Sequence, residues 1–326
     1  MSVSSTPVSK DVLARFARLL KSGRMAHAYL FSGPEGIGKS ETALAVAKLI
    51  NCQEVSEGKR ETSCGHCPSC LKINSGNHPD ILIVEKAEDV ESIKIAQVRE
   101  LINRLQMRAF EAAQKVCIIK NIECLTDDAS NALLKTLEEP SGDSRLFLTT
   151  AVPEENMKTV VSRCHQVKFY PLSAQAVQER LVQEDGLDPA AALCLAQFSE
   201  GCLGKARHLH EEEFFQRKNE IIDNIVLREN SEAYLKKILG EKSEARQALA
   251  VLLSWFRDLL ILKAGGGPGQ VVHADRYAEL ARMEKTYTFK KIDQVIEETV
   301  NTLNLLRENL NIKIPFILLR EKIWAG

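Results

Sequence analysis

The fold of this chain is limited first by a glycine-rich loop that lies between a short apolar run and a helix-forming segment. Residues 33–40 are Gly-Pro-Glu-Gly-Ile-Gly-Lys-Ser, directly after the apolar residues 28–31. Glycines let backbone N–H groups turn inward around phosphate oxygens, and the following helix offers its positive end. A bare glycine turn is the alternative, but the order strand, loop, helix favours binding of ATP or ADP with Mg²⁺. The predicted nucleotide-binding residues are Gly33, Gly36, Gly38, Lys39 and Ser40. Lys39 would reach the β- and γ-phosphates, and Ser40 would ligate the magnesium ion.

Apolar periodicity predicts an α/β domain followed by helices. Four apolar runs have the length and composition of buried parallel strands separated by helical stretches: 28–31, 81–84, 116–119 and 146–148. The strand-like runs stop after Phe169, and three short helices are predicted at 173–184, 189–198 and 203–213. From about Phe214 the pattern is helical throughout, with two long apolar stripes. We therefore expect three domains, at 1–170, 171–212 and 213–326.

Composition excludes several classes of protein. The 326 residues carry a net charge of -1, so no overall basic field indicates a nucleic-acid or membrane surface. No apolar run approaches the roughly 18 residues that a membrane span requires, and the first residues lack a signal core. We expect a cytoplasmic protein without membrane contact, in which the nine cysteines stay reduced. The sequence contains no recognisable polymerase or nuclease site.

A cluster of cysteines follows the helix after the loop. Two overlapping C-x-x-C steps and one more distant thiol suit a tetrahedral Zn²⁺ whose closed shell makes it structural. The predicted ligands are Cys52, Cys64, Cys67 and Cys70, within a module at about 52–70. His66 is a possible substitute ligand, and four unrelated buried thiols are the alternative.

The strand at 116–121 ends without the acidic residues that nucleotide hydrolysis uses. Hydrolysis in this fold class needs a carboxylate there to hold Mg²⁺, and usually a second to orient water. Lys120 and Asn121 occupy those places, and Glu123 could substitute in part if the strand continued. The sequence therefore predicts a chain that holds ATP but splits it poorly.

Two further polar positions remain open from the residues alone. Thr150, at the end of the strand 146–150, could sense a γ-phosphate or merely cap the next turn. Arg163 follows a helical stretch at 154–161 that is about 12 Å long, so it would reach a neighbouring subunit's phosphate rather than its own loop. The alternative for Arg163 is an exposed, solvated arginine.

In combination these motifs resemble one family, the AAA+ clamp-loader subunits of bacterial DNA polymerase III. The resemblance covers nearly the whole chain and rests on five segments in the family's order: 27–31, the four-cysteine insertion, 77–80, 133–140 and Ser162-Arg163-Cys164. It implies an AAA+ P-loop domain with a zinc-binding insertion, a small helical lid and an all-α collar that joins five subunits in an open ring. Thr150 would correspond to a first sensor and Lys205 to a second, with lysine where active motors tend to carry arginine.

The resemblance also implies partners and a role. Motor (tau/gamma) and delta subunits would share the ring, and the sliding clamp and primed DNA would be met through the complex. Motor subunits carry an acidic pair where Lys120 and Asn121 stand, and this sequence ends soon after the collar. The expected role is a largely non-hydrolysing stator that supplies Arg163 in trans to a neighbour's ATP site. The alternative is a tau/gamma-like ATPase motor, so whether the chain is itself an enzyme stays open.

Overall fold

The computed structural model describes residues 8–86, 90, 92–139, 144–151, 158–227, 231–308 and 310–324. They form two compact units, the first made of residues 1–173 and 201–205 and the second of 174–200 and 206–326. The finer division into three domains stays a prediction. None of the helices in these ranges has the length and apolar character needed to cross a bilayer.

A parallel sheet forms the centre of the first unit. Its strands are β1 (Ala28–Ser32), β2 (Ile81–Val84), β3 (Lys115–Ile119), β4 (Ser144–Thr150) and β5 (His165–Lys168). All neighbouring strands are parallel, in the order β2-β3-β4-β1-β5. The four predicted strands are therefore confirmed, and β5 is an additional edge strand that the apolar pattern did not indicate.

Helices cover both faces of this sheet. They are α1 (Lys10–Lys21), α2 (Lys39–Asn51), α3 (Gln53–Ser56), α4 (Pro68–Asn74), α5 (Ile95–Gln106), α6 (Asp127–Glu138) and α7 (Lys158–Val161). The hydroxyl of Thr126 caps α6 by accepting from the Ala129 N–H. Pro140, the last residue of the 133–140 segment, lies outside the described residues, as do residues 154–157 of the helical stretch expected at 154–161.

Alternation along the strands divides the core of the first unit into two layers. Leu30 and Leu148 face one layer with α5 and α6, whereas Phe31 and Phe147 face the other with α1 and α2. Because side chains alternate across a strand, continuous apolar runs such as β1 fill both layers at once. The sheet is buried on both sides, which explains why its central strands are uniformly apolar.

Strand register brings the ends of the strands together at one edge. Ser32 pairs with Thr150, and Ile119 pairs with Leu148, so β1, β3 and β4 end near one another. The glycine loop starts immediately after β1. In open parallel sheets, ligands bind outside the carboxyl ends of the strands, which is where this loop lies.

The second unit is entirely helical in its described residues. Its helices are α8 (Ala174–Asp185), α9 (Pro189–Phe198), α10 (Leu203–Glu211, whose first residues belong to the first unit), α11 (Phe214–Ile221), α12 (Ser231–Ile238), α13 (Lys242–Lys263), α14 (Tyr277–Thr286), α15 (Phe289–Arg307) and α16 (Lys313–Trp324). Trp255, Phe256 and Phe316 are fully buried in its core. The predicted helical C-terminal region is confirmed.

Candidate functional site

The glycines of the loop have backbone conformations that other residues rarely adopt. The φ angles are +153° at Gly33, +73° at Gly36 and +97° at Gly38. A Cβ at Gly33 would lie 2.7 Å from the Phe169 carbonyl oxygen, and a Cβ at Gly36 would lie 2.7 Å from the Lys205 backbone nitrogen. Both positions therefore require glycine for two reasons, the backbone angle and the close approach of another segment.

Lys39 begins α2 and turns its ammonium back onto the loop. Nζ donates hydrogen bonds to the carbonyl oxygens of Gly33 at 2.7 Å and Pro34 at 2.8 Å. Burial lowers the pKa of Lys39 below its usual value, while the charges of Glu123 and Glu35 oppose this change. Ser40 follows in the first turn of α2 and is half-buried. The structure thus gathers the predicted phosphate-binding residues around one loop at a helix N-terminus.

The end of β3 carries a cation that is already paired. Lys120 Nζ lies 2.6 Å from Glu85 Oε2, at the end of the neighbouring strand β2. Asn121 has a left-handed backbone, with φ of 53°, and its N–H donates to Thr149 Oγ1 at 3.0 Å. The strand stops at Ile119, so the positions where carboxylates are expected hold an ammonium in an ion pair and an amide.

Glu123 lies nearer the candidate site than its position after the strand indicated. The chain does not continue as a strand but turns through a short 3₁₀ helix, Ile122–Cys124. There Glu123 Oε1 accepts from the Ala151 N–H at 3.0 Å, just beyond the end of β4. Its charge is also the largest influence that raises the pKa of Lys39. The left-handed turn at Asn121 brings this carboxylate toward the loop, and no sequence pattern marks that turn.

The two predicted sensor residues lie beside the loop. Thr150 is buried, and its carbonyl oxygen accepts from the Gly33 N–H at 3.2 Å. The Gly204 N–H donates to the Gly36 carbonyl oxygen at 3.1 Å, which holds the first helical turn of α10, with Lys205, against the loop. The geometry brings both residues to the candidate nucleotide site, and their roles as sensors stay predictions.

The four predicted zinc ligands form a compact cluster. The Sγ atoms of Cys52, Cys64, Cys67 and Cys70 all lie within 4.8 Å of one another. Four sulfurs at about 2.3 Å from a tetrahedral zinc are separated by about 3.8 Å, so a cluster within this limit is compact enough to hold that ion. Sγ of Cys52 accepts from the Cys64 N–H, and Sγ of Cys64 accepts from the Cys67 N–H, both at 3.3 Å. Backbone N–H donors of this kind stabilise thiolates.

His66 occupies a different place from the four sulfurs. Its Nε2 lies 2.7 Å from Glu54 Oε1 and its Nδ1 lies 3.0 Å from the Cys64 carbonyl oxygen. Glu54, Cys64 and His66 form a second group with ligand atoms within 4.8 Å of one another. None of these three residues is buried, and His66 is exposed, whereas three of the four cysteines are buried. Burial raises the pKa of Cys70 to about 12, and a bound cation would lower it again by stabilising the thiolate. The buried four-sulfur group is the better candidate.

Arg163 lies in the turn between α7 and β5 and is bonded within its own chain. Nε and Nη2 both lie close to Glu138 Oε1, at 2.8 and 2.5 Å, and Nη1 donates to the Thr159 carbonyl oxygen at 2.9 Å. No contact among the described residues connects Arg163 with the glycine loop. The side chain stays 36% exposed.

Comparisons with known proteins assign both units to one kind of protein. A family model described as "DNA polymerase III, delta subunit" matches residues 8–173. A second, described as "DNA polymerase III, delta subunit, C terminal", matches residues 212–319. The two matches lie on either side of the helices α8, α9 and α10.

The delta' relatives match this chain over most of its length, and a tau relative matches a smaller part. DNA polymerase III subunit delta' of Bacillus subtilis is 29% identical over 302 residues, 90% of this chain and 89% of that protein. The delta' subunit of Pseudomonas aeruginosa is 31% identical over 287 residues, 85% of this chain and 82% of that protein. Subunit tau of Escherichia coli is 34% identical over 208 residues, but these are 62% of this chain and 31% of that protein.

Proposed function

Because this chain belongs to the delta' subunits of DNA polymerase III, a branch of the AAA+ clamp loaders, we propose that it is a largely non-hydrolysing stator. In this role it assembles with motor (tau/gamma) and delta subunits in a five-membered ring. The ring would load the sliding clamp onto primed DNA in the cytoplasm. The stator itself would bind ATP or ADP with Mg²⁺ in the glycine loop and would not use it.

The observation that carries this proposal is the chemistry at the end of β3. The Lys120 ammonium is held 2.6 Å from Glu85, so this edge of the sheet presents a neutralised ion pair where a magnesium ion needs carboxylate oxygens. Asn121 beside it cannot accept a proton from an attacking water. Binding of phosphates by the loop does not depend on these two residues, which separates binding from hydrolysis.

The purified chain tests this proposal directly. We expect measurable nucleotide binding by calorimetry, no appreciable phosphate release, and loss of binding in Lys39→Ala. Lys120→Ala is a useful companion, because it removes the cation without restoring an acidic pair and should leave turnover absent. Phosphate release that depends on Lys39 would contradict the stator role.

A tau/gamma-like motor is the second candidate function, favoured by Glu123. This carboxylate lies at the carboxyl edge of the sheet, hydrogen-bonded to the Ala151 N–H and close enough to Lys39 to raise its pKa. If the chain hydrolyses ATP, Glu123→Gln should abolish turnover while nucleotide binding persists. If the chain is a stator, the same variant has no turnover to lose.

For Arg163 we propose a role on a neighbouring subunit. An arginine that contacts another subunit's γ-phosphate stabilises the charge that develops during transfer. In a complex reconstituted with tau/gamma and delta subunits, Arg163→Ala should leave assembly intact and slow ATP use by the motor subunits. Arg18→Ala, which removes an exposed arginine from α1, is the matched control and should not change the rate. Equal rates for all three complexes would exclude the trans role.

The zinc and domain predictions complete the proposal. Cys52, Cys64, Cys67 and Cys70 would hold one structural zinc ion, which closes the segment between α2 and α4 and leaves no ligand position open for chemistry. Residues 171–212 would act as a lid and 213–326 as the collar. One zinc per chain in elemental analysis, lost in Cys67→Ser and kept in Cys124→Ser, is the expected result.

A further inference from the structure

The core of the first unit holds the backbone in place on both sides of Arg163. Val160, on α7, is fully buried in the same layer as Leu133 and Leu137 of α6, and Cys164 packs against that layer from the other side of Arg163. The backbone that carries the guanidinium therefore has little freedom. Its side chain, in contrast, has four rotatable bonds that this packing does not restrain.

Hydrogen bonds to one edge of the guanidinium supply that restraint. An arginine has five N–H donors in a planar fork, and Nε and Nη2 together form its side edge. This edge faces Glu138, whose Oε1 accepts from Nε at 2.8 Å and lies 2.5 Å from Nη2. The Thr159 carbonyl oxygen accepts from Nη1 at 2.9 Å, while the Ser162 hydroxyl is a longer contact at 3.4 Å.

Counting donors shows what remains available. Glu138 uses the Nε donor and one Nη2 donor, and Nη1 donates to Thr159 and, at the longer distance, to Ser162. In bonds to described residues the second Nη2 donor is unused, and the long Nη1 bond to the Ser162 hydroxyl is the weakest of the set, so a phosphate oxygen can replace it. A pair of parallel N–H groups at this spacing is suited to two oxygens of one phosphate. The side chain as a whole is 36% exposed, so a group from outside the chain can reach it.

We infer that Glu138 is a positioning residue for Arg163. It holds the side edge of the guanidinium so that the tip faces outward, toward a phosphate of a nucleotide bound by a neighbouring subunit. The inference rests on the trans role proposed above for Arg163 and adds to it the residue that orients the arginine. Fixing a long side chain before contact reduces the conformational entropy lost when the phosphate is reached.

The test compares variants in the reconstituted complex with tau/gamma and delta subunits. Glu138→Ala should lower kcat for ATP hydrolysis by the motor subunits roughly 10- to 100-fold, with little change in KM, because a misplaced group loses its effect in the transition state. Arg163→Ala should cost more, about 10³-fold. Glu138→Gln keeps an oxygen that can accept from the side edge and should recover part of the rate. Glu139→Ala removes the same charge from the adjacent residue and should behave as the wild type.

The double variant Glu138→Ala/Arg163→Ala distinguishes positioning from general structural damage. If Glu138 acts through Arg163, the double variant is no slower than Arg163→Ala alone. A wild-type rate for Glu138→Ala, or a further slowing in the double variant, would overturn the inference while leaving the trans role of Arg163 intact. If Arg163→Ala itself has no effect, the proposed trans role fails and the inference fails with it. If the Glu138→Ala subunit does not assemble, Glu138→Gln replaces it in the comparison. It should slow ATP hydrolysis when Arg163 is present and cause no further slowing in the Arg163→Ala background.

Discussion

Gly36 is the residue at which the candidate nucleotide site is most sensitive to a single atom. Its φ of +73° is one that L-residues adopt only with strain, about 1–2 kcal/mol. A Cβ there would also lie 2.7 Å from the backbone nitrogen of Lys205 and 3.0 Å from the Lys205 Cβ. This close contact cannot be relieved by the movement of a flexible side chain, because the nearest atom belongs to the backbone at the start of α10.

Gly36→Ala should therefore destabilise the protein by more than the backbone strain alone. Gly76→Ala is the matched control, because Gly76 has the same φ of +73° and its Cβ would have no neighbour within 4 Å. We expect Gly36→Ala to lower the free energy of unfolding, measured by urea titration and circular dichroism, by clearly more than Gly76→Ala. Nucleotide affinity should fall only in Gly36→Ala. Equal losses in stability for the two variants would mean that residues 201–205 do not pack against the glycine loop in solution.

At the scale of single residues, the sequence predicted those site residues that form a motif with characteristic spacing. The loop glycines, Lys39 and the four cysteines are close in the chain, so local geometry alone brings them together. Glu123 was predicted only as a partial substitute on a continued strand, and the pairing of Arg163 with Glu138 was not predicted, since 25 residues separate that pair. Such contacts depend on where α6 and α7 pack, which no local pattern encodes.

Secondary-structure elements also divide into those that the sequence predicts and those that depend on tertiary contacts. The central strands are buried on both faces and are uniformly apolar, so their composition identifies them. The edge strand β5 has one buried residue, Val167, between exposed His165, Gln166 and Lys168. Its hydrogen bonds to β1 make it a strand, and a polar segment of four residues carries no apolar signal that a sequence pattern could detect.

In the second unit, a buried polar cluster joins α13 to the segment before α14. The His273 N–H donates to Asp258 Oδ2 at 2.8 Å, and His273 Nε2 lies 2.7 Å from the Ser254 hydroxyl. The Trp255 ring packs edge-on against the His273 ring, with centroids 5.2 Å apart. Lys218 is fully buried and paired with Asp275 at 2.7 Å. Such a cluster is costly to desolvate, so its protonation states affect the stability of the unit.

The His273 imidazole should make the second unit sensitive to acid. Burial, and then the nearby Lys218 charge, hold the pKa of His273 well below its usual range. The unfolded chain takes up a proton below about pH 6.5 and the folded chain does not, so stability falls as the pH drops through that value. At pH 5.5 the expected loss from this residue is about 1.4 kcal/mol relative to pH 7.5.

His273→Gln isolates this contribution. Glutamine can still meet the Ser254 hydroxyl but does not titrate, so the variant should lose less stability between pH 7.5 and 5.5 than the wild type does. Asp258 is present in both proteins; burial raises its pKa, which favours the folded state as the pH falls, and this effect largely cancels in the comparison. Tryptophan fluorescence reports the second unit specifically, because Trp255 and Trp324 are the chain's two tryptophans. His210→Gln, on the exposed side of α10, should keep the wild-type pH dependence.

At the scale of the whole molecule, a chain of hydrogen bonds links the proposed zinc site to other parts of the first unit. The Ser69 hydroxyl on α4 lies 3.3 Å from His78 Nε2, and His78 Nδ1 accepts from the Asp80 N–H at 3.2 Å. The buried Asp80 carboxylate accepts from three successive N–H groups, those of residues 110–112, at 2.8 to 3.1 Å. These bonds connect the cysteine cluster with a loop some forty residues away in sequence, and all of them lie within the first unit.

If the four cysteines hold zinc as proposed, removal of the metal should perturb the first unit and spare the second. After chelation, we expect hydrogen exchange to increase in α3, in α4 and at the amides of residues 110–112, whose acceptor Asp80 loses its support. Amides in α13 and α15 should exchange at unchanged rates, because each unit has its own core. Asp80→Ala separates the connection from the metal: it should release the 110–112 amides while zinc stays bound. If chelation accelerates exchange equally in α13, the two units unfold as one cooperative body, and the zinc module stabilises the whole chain rather than its neighbourhood.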